Sequence, residues 1–176
     1  MNKIKNISAI LIITLLSACS QNAPLLNIVQ KAPNVNVSSE SNDFSSVSSE
    51  LKKASAGLFM ISESDYPFKG FSWKGQAATT LNKSNILKLA GKTANTPVEE
   101  TTLDKFFSVA TEDQTWHSPE EKENVKKFRN LVKVIKVNLK NVKVFRVGTV
   151  TIDVYIVGSA DKDLVGLSTK LVETRK

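Results

Sequence analysis

The sequence predicts an α+β domain built on an antiparallel sheet, and three observations predict it. A long, well-capped amphipathic helix runs from about Ser118 to Leu139. Beyond it, after one intervening strand-like run, Val150, Ile152, Val154 and Ile156 alternate with Thr151, Asp153 and Tyr155, the period of a half-buried strand. Strand-like runs on either side of that segment are separated only by short turns, which suits consecutive hairpins preceded by helices.

The elements follow in order. Val47, Leu51, Ala54 and Leu58 recur at intervals of four, three and four, which puts them on one helix face, with Gly57 as a stop. Ser62-Glu63-Ser64-Asp65 is polar, and Pro67 discourages further helix. Phe68 to Trp73 is aromatic-rich and reads as a strand, and Gly75 follows it. Asn82 to Ala90 carries Ile86, Leu87 and Leu89 as a short helix closed by Gly91. Leu103, Phe106, Phe107 and Ala110 mark a further helical turn. Ser118-Pro119-Glu120-Glu121 then opens the long helix: Ser118 caps it, Pro119 suits its first position, and Glu121 completes a capping box. Its apolar stripe is Val125, Phe128, Val132, Ile135 and Leu139. Val142 to Val147 is the next strand, and a turn at Gly158 to Asp163 returns the chain as Leu164 to Val172.

Residues 1–18 read as a lipoprotein signal peptide rather than a domain element. Lys3 and Lys5 precede the apolar run Ile7 to Leu16, broken only by Ser8 and Thr14. A membrane-spanning helix needs about 20 apolar residues and an export signal roughly 7–15. Leu16-Ser17-Ala18-Cys19 resembles the lipobox of bacterial lipoproteins, which implies cleavage before Cys19 and a lipid on the thiol of that residue, the chain's single cysteine. With Ser20 after the cysteine, the expected location is the cell envelope, at the outer membrane facing the periplasm in a Gram-negative cell. Residues 19–44 are rich in Ser and Asn, contain Pro24 and Pro33, and keep no sustained period, so they read as a flexible tether spanning roughly 25–30 Å. A docked strand around Leu25 to Val29 is the weaker alternative. The folded domain is expected at residues 45–176.

Composition removes several functions. Of 176 residues, 24 are Lys or Arg and 17 Asp or Glu, a net charge of +7. Loss of the signal peptide takes away two lysines and no acid, leaving +5. One cysteine cannot form an internal disulfide, and with one histidine the chain has too few ligands for a Cys/His zinc site. A hydrolase would have to rest on His117, which sits beside a helix cap and reads as a surface loop residue. Gly91-Lys92-Thr93 ends like a phosphate loop, but Ile86 stands where the upstream glycine is required. Ser49-Glu50-Leu51-Lys52 lacks the Lys-Thr-Gly that penicillin-recognising enzymes carry, and Gly166-Leu167-Ser168 lacks the closing glycine of a nucleophile elbow. Glu120, Glu121 and Glu123 suit the positive end of a helix dipole. Lys122, Lys126, Arg129, Lys133, Lys136, Lys140 and Lys143 form a stripe at three/four spacing and read as a solvated face; no aromatic residues interleave with them, as nucleic-acid binding would favour.

Three segments carry a family resemblance. Leu58 to Phe68, Phe106-Phe107-Ser108 through Ala110-Thr111 with Lys136 to Lys140, and Val154-Tyr155 through Val172-Glu173-Thr174 resemble NuiA proteins, inhibitors of the sugar-non-specific nuclease NucA. The resemblance runs from about Ser45 to Thr174 and implies an α/β/α sandwich. It also implies a non-enzymatic inhibitor, expected as a monomer, that blocks a metal-dependent DNA/RNA endonuclease with its carboxy-terminal tail. Thr174 would ligate the partner's magnesium, with Glu63, Trp116 and Glu173 at the same contact; the chain needs no cofactor of its own and does not itself take nucleic acid. Four features depart from the family pattern: Arg175 and Lys176 follow Thr174, Thr115 precedes Trp116 where the family has an acid, the mature net charge is positive, and the lipobox puts the chain outside the cytoplasm. The alternative is an envelope lipoprotein that uses the same fold to bind another protein or an anionic polymer.

Overall fold

The computed structural model describes residues 40–174. The expected signal peptide, Cys19, nearly all of the expected tether, Arg175 and Lys176 lie outside the described residues. The elements are α1 (Glu40–Ser55), β1 (Lys69–Trp73), a 3-10 turn (Ala78–Thr80), α2 (Lys83–Leu89), β2 (Val98–Thr101), α3 (Leu103–Thr111), α4 (Pro119–Asn138), β3 (Lys140–Val147), β4 (Thr151–Ala160) and β5 (Asp163–Val172). The first turns of α1 therefore precede Ser45, where the domain was expected to begin.

The strands form one sheet in the order β1-β5-β4-β3-β2, antiparallel at every junction. Its centre is the β3–β4–β5 meander. The β4–β5 pairing is the longest, unbroken from Thr151 opposite Val172 to Ala160 opposite Asp163. Only Asp161 and Lys162 are left as the turn, and Asp161 takes the positive φ of 51° that a tight hairpin requires. The strand thus continues through Gly158 and Ser159, which the sequence had marked as turn. Gly158 has a structural reason to be there: a Cβ on it would lie 2.8 Å from Leu139 Cβ and 2.9 Å from the Lys140 carbonyl oxygen.

Helices cover both faces, giving the α/β/α sandwich. On one face, Val47 and Leu51 of α1, Leu103 and Phe107 of α3, and Phe128, Leu131 and Ile135 of α4 pack on Val144, Val154, Ile156, Val165 and Leu167. Phe107 sits at the centre of this layer, fully buried, with ring centroids 5.8 Å from Phe128, 4.9 Å from Phe106 and 6.2 Å from Phe68. On the other face, Leu81, Ile86 and Leu87 cover Phe145, Val147, Val157 and Leu164, edged by Phe71, Trp73 and Tyr155. Strand β4 is buried on both faces at its centre, so Ile156, Val157 and Gly158 are all buried and the predicted alternation breaks there.

The caps match their chemistry. Ser118 Oγ accepts from the Glu121 amide at 3.2 Å, and Glu121 Oε2 accepts from the Ser118 amide at 2.7 Å, a reciprocal capping box. Those Ser118 contacts hold the Glu121 carboxyl below its ordinary value. Gly91 ends α2 at φ 65°, its N–H bonded to the Lys88 carbonyl and that of Lys92 to the Leu87 carbonyl. The glycine of the discarded phosphate-loop pattern is a helix stop. Lys92 turns to Asp153 of β4, which raises the lysine pKa, while burial raises that of the neighbouring Tyr155 phenol.

Candidate functional site

The site begins with the segment after α1. The chain leaves the helix through Gly57, at φ 71°, and pairs Phe59 with Pro67 across a narrow loop. At the tip, Ser62 Oγ donates to the Ser64 carbonyl at 2.6 Å and accepts from the Ser64 amide at 3.3 Å, an internal brace around Glu63. The Glu63 amide donates to the Val172 carbonyl at 3.2 Å. Strand β1 pairs β5 only as far as Ser168, so the loop occupies the edge of β5 that β1 leaves open.

Past Val172 the tail is fixed by four groups. The Glu173 amide donates to the Val150 carbonyl at 3.0 Å. Both Glu173 carboxylate oxygens accept from Arg146 Nη2, at 2.8 and 2.7 Å. The Thr174 amide donates to Glu63 Oε1 at 3.3 Å, and the Thr174 hydroxyl donates to the same oxygen. Glu63 and Thr174, 111 residues apart in sequence, therefore form one oxygen-rich tip. The hydroxyl spends its proton on Glu63, so the threonine oxygen keeps lone pairs, and Glu63 keeps its second carboxylate oxygen.

Beside the tip lies a groove of about 260 Å³ between the loop, the tail and α3. Met60, Phe106 and Leu171 form its floor, Ile61 and Val109 its rim, and Arg146, Glu99 and Lys105 its polar wall. Ile61 and Val109 are exposed to 76% and 70%, unusual for apolar side chains this size. The α3 wall leads into the loop that carries Trp116. Arg129 Nε donates to the Thr111 carbonyl at 2.8 Å and fixes that end of α3 to α4. His117 closes the loop: its amide donates to the Gln114 carbonyl at 3.1 Å, and its Nδ1 accepts from the Gln114 amide at 3.2 Å. Trp116 projects with 76% of its surface exposed, its ring edge-on to His117.

Of the four residues singled out in the sequence, the fold brings Glu63, Glu173 and Thr174 into contact, and holds Trp116 on a separate braced loop. Cys19 lies outside the described residues. Arg146 was missed. Strand alternation places it with Val142 and Val144 on the register that packs against α1, α3 and α4, but Lys143 interrupts the other apolar register in the same way, so the sequence did not single Arg146 out. The basic stripe does not stay on one helix, because α4 ends at Asn138 and Lys140 and Lys143 continue on β3. Several of its members have internal partners: Lys136 with Asp104 at 2.6 Å, Lys143 with Glu100 at 2.8 Å, Lys126 with Glu123 at 3.6 Å, and Arg129 with Thr111.

Among the described residues there is no group of three or more His, Cys, Asp or Glu side chains arranged to hold a metal. Comparison with known proteins gives one family match: the model of the nuclease A inhibitor-like proteins, NuiA, matches residues 45–174. No curated protein matches the chain.

Proposed function

Because the chain belongs to the nuclease A inhibitor-like family, a family of nuclease inhibitors, we propose that it blocks a sugar-non-specific, metal-dependent DNA/RNA endonuclease of the NucA type. It does so without catalysis of its own, by setting its carboxy-terminal tail in the nuclease active site. The observation that carries this reading is the Glu63–Thr174 contact, which presents two oxygen donors from distant parts of the chain as a single tip. A magnesium ion bound by the nuclease would take oxygen ligands and keep several waters of its own, so the Thr174 oxygen would replace one of these at a position meant for substrate. The free oxygen of Glu63 stands in for a phosphate oxygen toward the nuclease's cationic groups. Trp116 supplies the apolar anchor: an exposed indole on a braced loop gives large contact area at little entropic cost.

The test titrates the full-length chain into a NucA-type nuclease with magnesium present. The expected result is loss of activity that is complete at one inhibitor per enzyme; activity that persists at a tenfold excess over enzyme rejects this nuclease class as the target.

The proposal includes the address. The chain is tethered at the cell envelope through a lipid on Cys19, facing the periplasm from the outer membrane in a Gram-negative cell, where it shields the envelope from an exported nuclease. Labelled palmitate should enter the wild-type chain in bacteria and fail to enter Cys19→Ser. Equal labelling of the two would reject the anchor.

A further inference from the structure

Arg146 lies on the register of β3 that packs against α1, α3 and α4, lines the wall of the groove and bonds the tail. A charge on such a face has to be paired. Two carboxylates are near it. Glu99, its cross-strand neighbour on β2, approaches Nε only to 3.7 Å, and among the described residues Nε has no hydrogen-bond partner although the atom is buried. Glu173 is the closer partner, with both oxygens within 2.8 Å of Nη2. The charge-assisted bonds of this guanidinium are therefore directed at the tail.

That commitment has a geometric consequence. Chain ends fray unless something ties them down, and Thr174 lies two residues past the last strand. The Glu173 amide is bonded to Val150 and its side chain to Arg146, so both the backbone and the side chain of the residue before Thr174 are fixed. The Thr174 amide and hydroxyl then meet Glu63 without a search. Without the arginine, Glu173 would keep one backbone bond, and its carboxylate would be free to swing toward Lys105 or solvent.

We infer that Arg146 is the positioning residue of the tail: by holding Glu173 it keeps Thr174 seated on Glu63 in the free protein, so that the tip is built before any partner arrives. The benefit for inhibition rests on the nuclease reading above; the seating itself belongs to the chain alone. A tip ordered in advance loses less conformational freedom on binding, which favours tight inhibition. The role of Glu173 shifts accordingly, from touching the nuclease to holding the residue that does.

The experiment uses the full-length chain with Arg146→Gln, Glu173→Gln and the double substitution. Backbone amide exchange at Glu173 and Thr174 is followed by NMR, beside the inhibition constant for a NucA-type nuclease. Arg146→Gln should speed exchange at both amides about tenfold or more, leave the β4–β5 amides unchanged, and weaken inhibition about tenfold. The double variant should be no worse than Arg146→Gln, because the two side chains act as a unit. Arg146→Lys, which keeps the charge but loses the planar fork, should recover part of both effects. Unchanged exchange at residues 173–174 in Arg146→Gln overturns the inference, as do effects of the two single substitutions that add in the double. If Arg146→Gln fails to fold, Glu173→Gln decides: faster exchange at Thr174 supports the role and unchanged exchange overturns it. If the wild type inhibits no such nuclease, exchange alone decides for Arg146, and the failure falls on the nuclease reading.

Discussion

A chain ending at Val172 is expected to bind its nuclease at least about 100-fold more weakly, while its thermal midpoint stays within a few degrees of the intact protein. The loss is large because one truncation removes three things. The Thr174 oxygen is gone, Glu63 loses the hydroxyl and amide that orient its carboxylate, and Arg146 loses its close partner. Central interface residues cost about 2–4 kcal/mol each when removed, which corresponds to roughly 30- to 1000-fold in affinity. Stability should be spared because β5 ends at Val172, and the loop keeps its bond from the Glu63 amide to the Val172 carbonyl. Inhibition titrations with magnesium, beside a melting curve for each form, separate the two effects. Inhibition unaltered by the truncation would mean that the tail is not the blocking element.

The second large effect concerns the sheet. Gly166→Ala is expected to destabilise the domain by at least about 3 kcal/mol, beyond the usual cost of one added methyl group. A Cβ at this position would lie 1.9 Å from the Ile156 carbonyl oxygen, 2.9 Å from the carbon of that carbonyl and 3.0 Å from Val157 Cα. All three are backbone atoms, so no side chain can rotate away. The strain can be relieved only by parting β4 from β5, the longest pairing in the sheet. Gly70→Ala is the matched control. It lies on β1, and its added Cβ would find nothing closer than the Ser48 hydroxyl at 3.8 Å, so it should change stability by less than about 0.5 kcal/mol. Denaturant midpoints of both variants, at unchanged slope, are the measurement; equal midpoints would show that the strands yield without cost.

These expectations also mark what the sequence made legible. Helix α4 could be read from Ser118-Pro119-Glu120-Glu121 because a capping box is local: its partners are three residues apart. The β3–β5 meander was readable because each strand is apolar enough to show a period. Strand β2 was not, since Val98-Glu99-Glu100-Thr101 has one apolar residue beside two adjacent acids. It is a strand through its partner: Val98 lies opposite Val147, while Glu100 and Glu99 answer Lys143 and Arg146. The site divides the same way. No periodicity joins Glu63 to Thr174 across 111 residues; only the family resemblance put them in one place. Arg146, which lies in none of the segments that carry the resemblance, became visible once the fold showed what stands next to Glu173.

The strand order has a consequence for how the protein comes into being. Among the described residues β1 pairs only with β5, and β2 only with β3, so both strands made early in synthesis wait for partners made late. Lys69 meets Ser168 across 99 residues. Closing loops of that size before any contact rewards it makes folding slow and leaves little for a nascent amino-terminal half to hold on to. Among the described residues, the last contacts available to the growing chain are those of Glu173 and Thr174. An interrupted translation product therefore carries Glu63 and Trp116 but not the Glu63–Thr174 contact, and on the proposed mechanism it would lack the blocking tip.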